Sequence, residues 1–204
     1  MIGIESSLRD SGISIIAGVD EAGRGPCAGP LVIAAVALDN ADSQLLSRVA
    51  DSKVLTEKVR EQLFDVIKSE AVAWSIIEIS PKEIDQIGLH KSNIEGMRRA
   101  INSLAVTPEY ILTDGYVIEG LAIPNLAVWK GDQVAQSISA ASILAKVYRD
   151  RIMIENDTKY PGYGFAKHKG YITAAHTQAL SRLGICEIHR KSFANIIALG
   201  ASTL

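Results

Sequence analysis

The sequence predicts an α/β fold with a mixed sheet, built as a single domain. Strand-like apolar segments come first, and amphipathic helical segments then alternate with further short strands. That order is typical of a sheet whose early strands are antiparallel and whose later strands are parallel. With 204 residues, of which 48% are hydrophobic and 22% charged, the chain can build a substantial core.

The first two strands are expected on either side of a glycine-rich turn. Residues 15–20 form an apolar run that predicts a buried strand, and residues 31–38 (LVIAAVAL) predict a second one. The glycines and prolines between them suit an antiparallel hairpin. Thr56 then precedes the apolar spacing of an amphipathic helix, whose first turn a threonine can cap.

The middle of the chain alternates short helices with short strands. Residues 72–79 predict the third strand, and Ser80 with Pro81 begins a helix that ends before Gly88. Residues 92–104 predict a longer helix with one apolar face. The fourth and fifth strands are predicted at residues 110–114 and 126–129.

A long helix and an appended segment complete the predicted fold. Residues 135–156 predict the helix, residues 160–170 predict an aromatic, glycine-rich and basic loop, and residues 173–183 predict a final amphipathic helix. We expect one domain over residues 1–204, with a catalytic core at about 12–155 and a helical and loop segment at about 156–204.

Charge and cysteine content exclude some classes of protein. A net charge of −2 and a pI near 6.1 argue against a broad electrostatic nucleic-acid binder, although they allow a local basic groove. Cys27 and Cys186 form no CxxC motif, so we exclude a zinc ribbon and expect free thiols of a reducing cytosol. We find no signal peptide and no apolar run of about 18 residues, which predicts a cytoplasmic protein without a membrane span.

Four acidic residues at the ends of predicted elements are the candidate metal ligands. Asp20 and Glu21 follow the first strand, Asp114 ends the fourth, and Asp132 follows the fifth. Ligands gather at strand ends in open α/β sheets, and Mg²⁺ prefers carboxylate oxygens. Each acid alone is more often a turn former. Because Asp20 and Glu21 would face opposite sides of a regular strand, we expect a bend that brings both to one site.

The segment Gly23-Arg24-Gly25 is the candidate contact for a sugar-phosphate chain. Its backbone amides and guanidinium suit a phosphate, and the adjacent acids indicate metal-dependent chemistry on a phosphodiester or a nucleotide. The segment matches neither GxxxxGK[ST] nor GxGxxG, and a tight turn is its alternative interpretation.

Several sequence blocks together resemble bacterial ribonuclease HII. Their order and spacing cover roughly residues 15–194, and the first block and the long serine- and alanine-rich block are the most specific. The blocks are GVDEAGRGPCAGP, DSK at 51–53, TDG at 113–115, KGD with SISAASILAKVYRDR at 130–151, YPGYGFAKHKGY at 160–171 and IHRKSF at 188–193.

The resemblance implies a ribonuclease H-like fold, with a mixed five-stranded sheet flanked by helices and a helical C-terminal extension. It implies an endonuclease that cleaves the RNA strand of RNA–DNA hybrids and nicks duplex DNA 5′ to a single embedded ribonucleotide. Such an enzyme leaves a 3′-hydroxyl and a 5′-phosphate and serves ribonucleotide excision repair and RNA primer removal.

The resemblance also implies two Mn²⁺ or Mg²⁺ ions, held by Asp20, Glu21, Asp114 and Asp132. Our hypothesis assigns Asp20 and Asp132 to the ion that activates the attacking water. It assigns Asp20, Glu21 and Asp114 to the ion at the leaving 3′ oxygen.

Substrate contacts follow from the same resemblance. Gly23-Arg24-Gly25 reads the ribonucleotide 2′-hydroxyl, mainly through backbone atoms, and Tyr171 stacks on the sugar of the next deoxynucleotide. Lys53 is expected at the scissile or adjacent phosphate. Lys146 and Arg149 are expected to present a basic helix face to backbone phosphates. For these lysines and this arginine the alternative is a solvated surface.

Three positions depart from the family's pattern, namely Thr113, Tyr116 and Cys27. None of them is an expected ligand, so we expect activity and leave open the substrate preference near Tyr116. For Tyr171, the neighbouring Tyr160 and Tyr163 are alternatives. The sequence block around His168 gives no reason to expect a catalytic base there.

Three alternatives remain at this point. A nucleotide-binding enzyme would use the glycine turn, but GK[ST] is missing, and a non-catalytic hybrid-binding module would have no need of four acids. A ribonuclease HIII would usually carry an N-terminal extension, whereas about a dozen residues precede the first strand here. We expect a monomer and leave recruitment by a sliding clamp open, because residues 194–204 show no confident clamp-binding motif.

Overall fold

The computed structural model describes residues 3–39 and 56–201. Five strands and eight α-helices lie within these two ranges. The strands are β1 (Ile16–Ala22), β2 (Leu31–Leu38), β3 (Ala73–Ile79), β4 (Tyr110–Asp114) and β5 (Asn125–Val128). The helices are α1 (Ile4–Asp10), α2 (Glu57–Glu70), α3 (Pro81–Ile87), α4 (Leu89–Asn102), α5 (Gln136–Lys159), α6 (Phe165–His168), α7 (Ala174–Leu183) and α8 (Ala194–Ala201), with a 3-10 turn at Gly131–Gln133.

The strands form a mixed sheet of five strands in the order β3-β2-β1-β4-β5 within the described ranges. β2 pairs antiparallel with both β1 and β3. β4 pairs parallel with both β1 and β5. The predicted fold class is therefore confirmed, including the antiparallel hairpin at the start and the parallel strands that follow.

β2 is buried on both faces, which explains its continuous run of apolar residues. Successive strand residues point to opposite faces of a sheet. Val32 and Val36 accordingly pack with side chains of α2 and α5, whereas Leu31 and Ile33 pack with side chains of α4. The sheet thus lies between two helical layers.

α5 approaches the middle of the sheet closely at β1. A Cβ atom on Gly18 would lie 2.0 Å from the carbonyl carbon of Ser137, so only glycine allows this approach. A distant acid caps the first turn of the same helix. Glu5 on α1 accepts hydrogen bonds from the backbone N–H groups of Gln136 and Ser137, both at 2.8 Å. These contacts fix the helix that carries part of the candidate site.

The C-terminal segment packs against the turn between β1 and β2. Phe165 and Leu180 share a buried cluster with Cys27 and Ala28 of that turn. Ala28 also forms an antiparallel β-bridge with His189. The segment therefore contributes to the shape of the turn as well as covering it.

The structure contains three helices that the sequence did not predict. α1 lies in the N-terminal stretch, α6 interrupts the loop predicted at 160–170, and α8 lies in the weakly patterned tail. α6 is only four residues long and is flanked by left-handed residues at Gly164 and Lys169, so no helical period can reveal it. Other predicted boundaries agree within three residues. No helix in the described part of the chain is long and apolar enough to cross a membrane.

Candidate active site

β1 and β4 run parallel and end side by side, which brings their acidic residues together. Their last paired residues are Val19 and Thr113, and the next residue along each strand is Asp20 or Asp114. β5 pairs with β4 and leads into the 3-10 turn that carries Asp132. We call the carboxylates of Asp20, Glu21, Asp114 and Asp132 the acidic edge.

Asp20 and Glu21 both lie in regular strand, so the expected bend between them is wrong. The pairing of β1 with β2 continues without a break through Glu21. Asp20 lies on the α5 side of the sheet, next to Ser142, and Glu21 lies on the α4 side, next to Asn93. Both carboxylates nevertheless interact with Asp114, because that residue is the last of its strand.

The acidic edge carries negative charge that the protein only partly compensates. Burial raises the pKa of Asp20 well above its usual value, and the Glu21 and Asp114 carboxylates raise it further. Burial also raises the pKa of Glu21, while the Arg24 guanidinium opposes this rise. Burial, and then the charge of Asp114, raise the pKa of Asp132. Asp114 is thus the carboxylate that the other three face.

The donor atoms of the acidic edge fit a hard divalent cation. Glu21 Oε2 is buried and has no hydrogen-bond partner among the described residues. Asp114 Oδ1 accepts from the Gly131 N–H and Asp20 Oδ1 from the Glu21 N–H, each at 2.7 Å, which orients both carboxylates. In the described ranges, no group of three or more His, Cys, Asp or Glu side chains is placed to hold a metal ion. Mg²⁺ sites use a few carboxylates and complete their shell with water and phosphate, which matches this incomplete set.

A pocket of about 320 Å³ opens beside the acidic edge. Its lining includes Glu21, the segment Gly23-Arg24-Gly25, Ser142, Lys146 and Tyr171. A single cavity therefore joins one candidate metal ligand to most of the residues predicted to contact substrate. Lys53 lies outside the described residues.

Arg149 does not present a basic face to solvent, and this part of the prediction is wrong. Its side chain borders the pocket, but the residue is only 1% exposed. Burial lowers the pKa of Arg149 to about 10, so the guanidinium stays charged at neutral pH. It donates at 2.9–3.0 Å to the main-chain carbonyls of Ala28, Pro30 and Lys169. Arg149 therefore supports the turn before β2, and its contact with a backbone phosphate stays a prediction.

Arg190 is a second buried arginine at the same turn, and sequence analysis assigned it no role. Burial, and then the nearby charge of Arg149, lower the pKa of Arg190 to about 9. Its guanidinium donates at 2.6–3.2 Å to the main-chain carbonyls of Gly23, Arg24 and Gly29. Residues 23–30, which we call the glycine turn, are thus held by two internal cations. The only signal in the sequence was the position of Arg190 in the IHRKSF block.

Two glycines of this turn have close neighbours where a side chain would lie. Gly23 has a φ of +100°, and a Cβ atom there would lie 2.1 Å from Arg149 Nε. A Cβ atom on Gly25 would lie 3.2 Å from Cε1 of the Tyr171 ring. The turn and the tyrosine are therefore direct neighbours on the pocket wall, and any side chain at Gly25 would crowd the ring.

Arg24 lies between Glu21 and Tyr116. One of its guanidinium nitrogens is 3.4 Å from Glu21 Oε1 and also donates to the Tyr116 hydroxyl, and its Cζ is 4.8 Å from the centre of that ring. The Thr113 hydroxyl donates to the Tyr116 carbonyl. Two departures from the family's pattern thus form one unit beneath the arginine. The third, Cys27, is buried in the cluster beneath the glycine turn.

Lys146 extends from α5 to the pocket rim. Its ammonium group is 2.8 Å from Asp150 Oδ1 one helical turn later, and its side chain is 39% exposed. A phosphate at the rim can therefore reach it. His168 has a structural contact, because its Nε2 lies 2.8 Å from the Tyr163 carbonyl oxygen.

Comparison with known sequences decides the family. A sequence profile of the ribonuclease HII family matches residues 17–196. The chain belongs to the ribonuclease HII family. It is 53% identical over 203 residues to the ribonuclease HII of Frankia casuarinae, a match that covers 100% of this chain and 85% of the relative. It is 54% identical over 197 residues to that of Rhodococcus erythropolis, which covers 97% of this chain and 87% of the relative.

Solved structures support the same assignment. The ribonuclease H2 of Pyrococcus horikoshii superposes with a TM-score of 0.81 at 30% identity, covering 92% of this chain and 98% of the other. The ribonuclease HII of Archaeoglobus fulgidus, solved in complex with PCNA, gives 0.76 at 27% identity over 89% and 96% of the two chains. A Bst-RNase HIII solved with Mn²⁺ gives 0.71 at 19% identity over 93% and 70%, which shows a shared fold alone. The chain is a ribonuclease H endonuclease that acts on RNA–DNA hybrids.

Proposed function

We propose that this ribonuclease HII uses the acidic edge to hold two Mn²⁺ or Mg²⁺ ions and nicks duplex DNA 5′ to a single ribonucleotide, besides cleaving longer hybrids. One observation carries the proposal. The pocket beside the acidic edge is lined by Gly23-Arg24-Gly25 and Tyr171 and also by the candidate ligand Glu21. A sugar bound between the turn and the tyrosine would thus lie next to the carboxylates.

Asp20, Glu21, Asp114 and Asp132 are the proposed ligands. Their support is the raised pKa of Asp20, Glu21 and Asp132, which burial causes first and neighbouring carboxylates increase, together with the unpartnered Glu21 Oε2. Divalent cations bound there supply the activation of water and the stabilisation of the leaving oxygen in an in-line displacement. The division of the four acids between two ions stays a prediction.

The glycine turn and Tyr171 are the proposed readers of the ribonucleotide. The 2′-hydroxyl is both a donor and an acceptor, so main-chain groups at a fixed turn can distinguish RNA from DNA at one position. The two buried arginines fix this backbone before substrate arrives. Tyr171, which is 49% exposed, offers a ring face to the next sugar, and Lys146 offers a cation to the phosphate backbone. Lys53 keeps its proposed phosphate contact as a prediction.

The metal is proposed to be manganese or magnesium. The all-oxygen donor set of the acidic edge favours hard cations over zinc. The Mn²⁺ bound to the distantly related Bst-RNase HIII is consistent with this choice. Addition of each metal to a chelated enzyme, followed by a cleavage assay, identifies the ion that supports catalysis.

Residues 1–204 are proposed to act as one cytoplasmic domain and as a monomer. In support, Phe165 and Leu180 of the C-terminal part pack with Cys27 and Ala28 of the glycine turn, and Cys27 and Cys186 are free thiols. A sliding clamp is a further candidate partner, because the Archaeoglobus relative was solved with PCNA. Co-elution with the clamp of the same cell in gel filtration tests this partner.

The deciding experiment is cleavage of a labelled DNA duplex that contains one ribonucleotide. We expect a nick on its 5′ side with Mn²⁺ and none with a chelator. The Asp20→Asn variant should still bind the duplex but should not nick it at saturating Mn²⁺. Cleavage of long hybrids without a nick at the single ribonucleotide would refute the proposed junction recognition, and a nick that persists in chelator would refute the metal site.

A further inference from the structure

Three of the four histidines gather beneath Tyr171, away from the acidic edge. His176 and His189 are 0% and 1% exposed, and the rings of His168 and His176 stack with centroids 4.3 Å apart. The proposed chemistry uses none of them. We call the hydrogen-bonded series from Cys186 through His189 and His176 to Tyr171 the histidine chain.

The direction of the histidine chain can be read from its Cys186 end. The backbone N–H of Cys186 lies 2.9 Å from His189 Nδ1 and can only donate. The Cys186 carbonyl is 3.2 Å from the same nitrogen and accepts the backbone N–H of His189 at 3.1 Å, but a carbonyl can accept two bonds, so the N–H of Cys186 decides the direction. His189 Nδ1 is therefore the acceptor. Its proton lies on Nε2, which faces His176 Nε2 at 3.1 Å.

The opposite end gives the same direction independently. The Tyr171 carbonyl oxygen lies 2.9 Å from His176 Nδ1 and can only accept. His176 must therefore carry its proton on Nδ1, which leaves Nε2 free to accept from His189. Both ends thus require two neutral imidazoles, each in one defined tautomer.

His168 is fixed in the same way beside the chain. Its Nε2 donates to the Tyr163 carbonyl at 2.8 Å, and its Nδ1 accepts from the Gly170 N–H at 3.2 Å. The backbone N–H of Tyr171 donates to the His168 carbonyl at 2.9 Å. The peptide groups on both sides of Tyr171 are therefore held, the one before it by His168 and the one after it by His176.

We propose that the histidine chain is a positioning device that fixes the backbone of Tyr171, and so its ring against Gly25, in the geometry that binds substrate. The inference rests on the proposed function, in which this ring contacts the sugar next to the ribonucleotide. The ring is only 3.2 Å from the place of a Gly25 Cβ atom, so a small shift of its backbone would change the width of the pocket. His176 and His189 act through Tyr171 and do not touch substrate.

The surroundings keep the chain neutral. The Cys186 thiol lies 3.2 Å from His189 Nδ1, and the Cys27 thiol lies 3.9 Å from His176 Nδ1. Burial raises the pKa of both thiols. The Tyr163 ring, whose pKa burial also raises, is 5.3 Å from that of His189. The adjacent cation, Arg190, donates its hydrogen bonds to three main-chain carbonyls. Burial lowers the pKa of His176, and it lowers that of His189 to about 4.

Two substitutions at His176 separate positioning from simple packing. In His176→Asn the side-chain amide occupies the place of Nδ1, so it can still donate to the Tyr171 carbonyl but loses the hydrogen bond from His189. In His176→Gln the amide reaches the place of Nε2, so it keeps the hydrogen bond with His189 but loses the one to the Tyr171 carbonyl. We expect KM for the ribonucleotide duplex to rise about tenfold in His176→Gln and to stay within about twofold in His176→Asn, with kcat unchanged in both. Equal KM values, or a change confined to kcat, would overturn the proposal.

The tautomers themselves can be measured without substrate. In ¹⁵N-histidine-labelled wild-type protein at pH 7, NMR should report the proton on Nε2 of His189 and His168 and on Nδ1 of His176. The opposite tautomer at either residue of the chain would overturn the proposal even if the enzyme nicks as expected. Conversely, an enzyme that fails to nick at a ribonucleotide, yet shows these tautomers, would contradict the proposed function alone.

Discussion

The acidic edge and the glycine turn meet where β1 ends, but their charges are arranged in opposite ways. At the edge, buried carboxylates face one another and Glu21 Oε2 has no hydrogen-bond partner in the described structure. At the turn, two buried guanidiniums each find three carbonyl acceptors. The carboxylates of the acidic edge therefore lack partners that cations could supply. At the glycine turn, side chains of the protein already satisfy the main-chain carbonyls.

This difference separates chemistry from recognition. Buried like charges cost stability until a cation joins them, so we expect the acidic edge to depend on metal. The glycine turn has its shape without metal, because Arg149 and Arg190 satisfy its main-chain oxygens. We therefore expect substrate binding to survive changes at the edge, and catalysis to survive small changes at the turn.

The largest expected effect is the loss of cleavage in Asp114→Asn. Asp114 interacts with each of the other three carboxylates, so its loss removes charge from the centre of the proposed metal site. We expect kcat to fall by at least about a thousandfold, with the Kd for the duplex within about threefold of wild type. The matched control is Asp65→Asn on the exposed side of α2, which should cleave normally. Equal loss of binding and cleavage would contradict the separation.

The next largest effect is on stability, in Arg190→Leu. The change leaves one buried and two partly buried carbonyl groups without their donor, and we expect the free energy of unfolding to fall by about 3 kcal/mol. Urea unfolding measures it. Arg182→Leu is the control, because Arg182 is exposed and contacts a single carbonyl at 3.3 Å. Its loss should lower the free energy of unfolding by at most about 0.5 kcal/mol. Similar losses in the two variants would mean that Arg190 does not support the turn.

Gly23→Ala tests the close packing of the turn against Arg149. Gly23 and Gly12 both have positive φ, at +100° and +91°, but a Cβ atom on Gly12 meets nothing within 4 Å. Both substitutions therefore cost backbone strain of about 1 kcal/mol, and only Gly23→Ala also displaces a buried side chain. We expect Gly23→Ala to be less stable than Gly12→Ala by about 2 kcal/mol in urea unfolding. Equal stability would show that Arg149 can move aside freely.

The smallest expected effect is the pH dependence of stability that His189 provides. Its pKa falls from a usual value of 6.5 to about 4 because burial disfavours the charged form. Below pH 6.5 the unfolded chain binds a proton that the folded protein refuses, so this contribution to stability is lost as the pH falls from about 6.5 to about 4. Between pH 7 and pH 5 it amounts to about 1–2 kcal/mol.

The measurement compares wild type with His189→Gln at both pH values, because the raised pKa values at the acidic edge give an opposite slope in both proteins. The wild-type protein should lose more stability than the variant on acidification. His90→Gln serves as the control, since His90 is exposed and lies outside the histidine chain. A His189→Gln protein with the wild-type slope would contradict the neutral histidine chain.

Much of the fold could be predicted because its signals are local. The apolar run of β2 and the strand that ends at Asp114 were placed at their observed bounds, and the Thr56 hydroxyl does accept from the Val59 N–H. α1 was missed because its anchor, Glu5, caps a helix 131 residues later. A partner at such sequence distance leaves no periodic signal near the residue itself.

The residues of the candidate site also divide into those with local sequence signals and those whose contacts lie far away in the sequence. The four acids and Gly23-Arg24-Gly25 were visible because strand ends and glycine turns are local features. Arg149 was assigned to the wrong environment, because a charge run on a helix does not show which of its members is buried. Arg190 was not assigned at all, since its acceptors lie 161–167 residues away. The regular strand through Asp20 and Glu21 could not be foreseen without knowing how β1 pairs with β2.

The most direct test of the central claim is the melting temperature of Asp20→Asn, measured in chelator and in Mn²⁺. Burial raises the folded-state pKa of Asp20 above its unfolded value of 3.8, so the ionised carboxylate costs stability at neutral pH, and an amide removes that cost while its oxygen still accepts from Glu21. We expect the variant in chelator to melt about 3 °C above wild type, and to gain less from Mn²⁺ than wild type does. A variant that melts below wild type in chelator, or whose melting temperature rises as much as that of wild type on addition of Mn²⁺, would contradict the claim that the acidic edge needs cations.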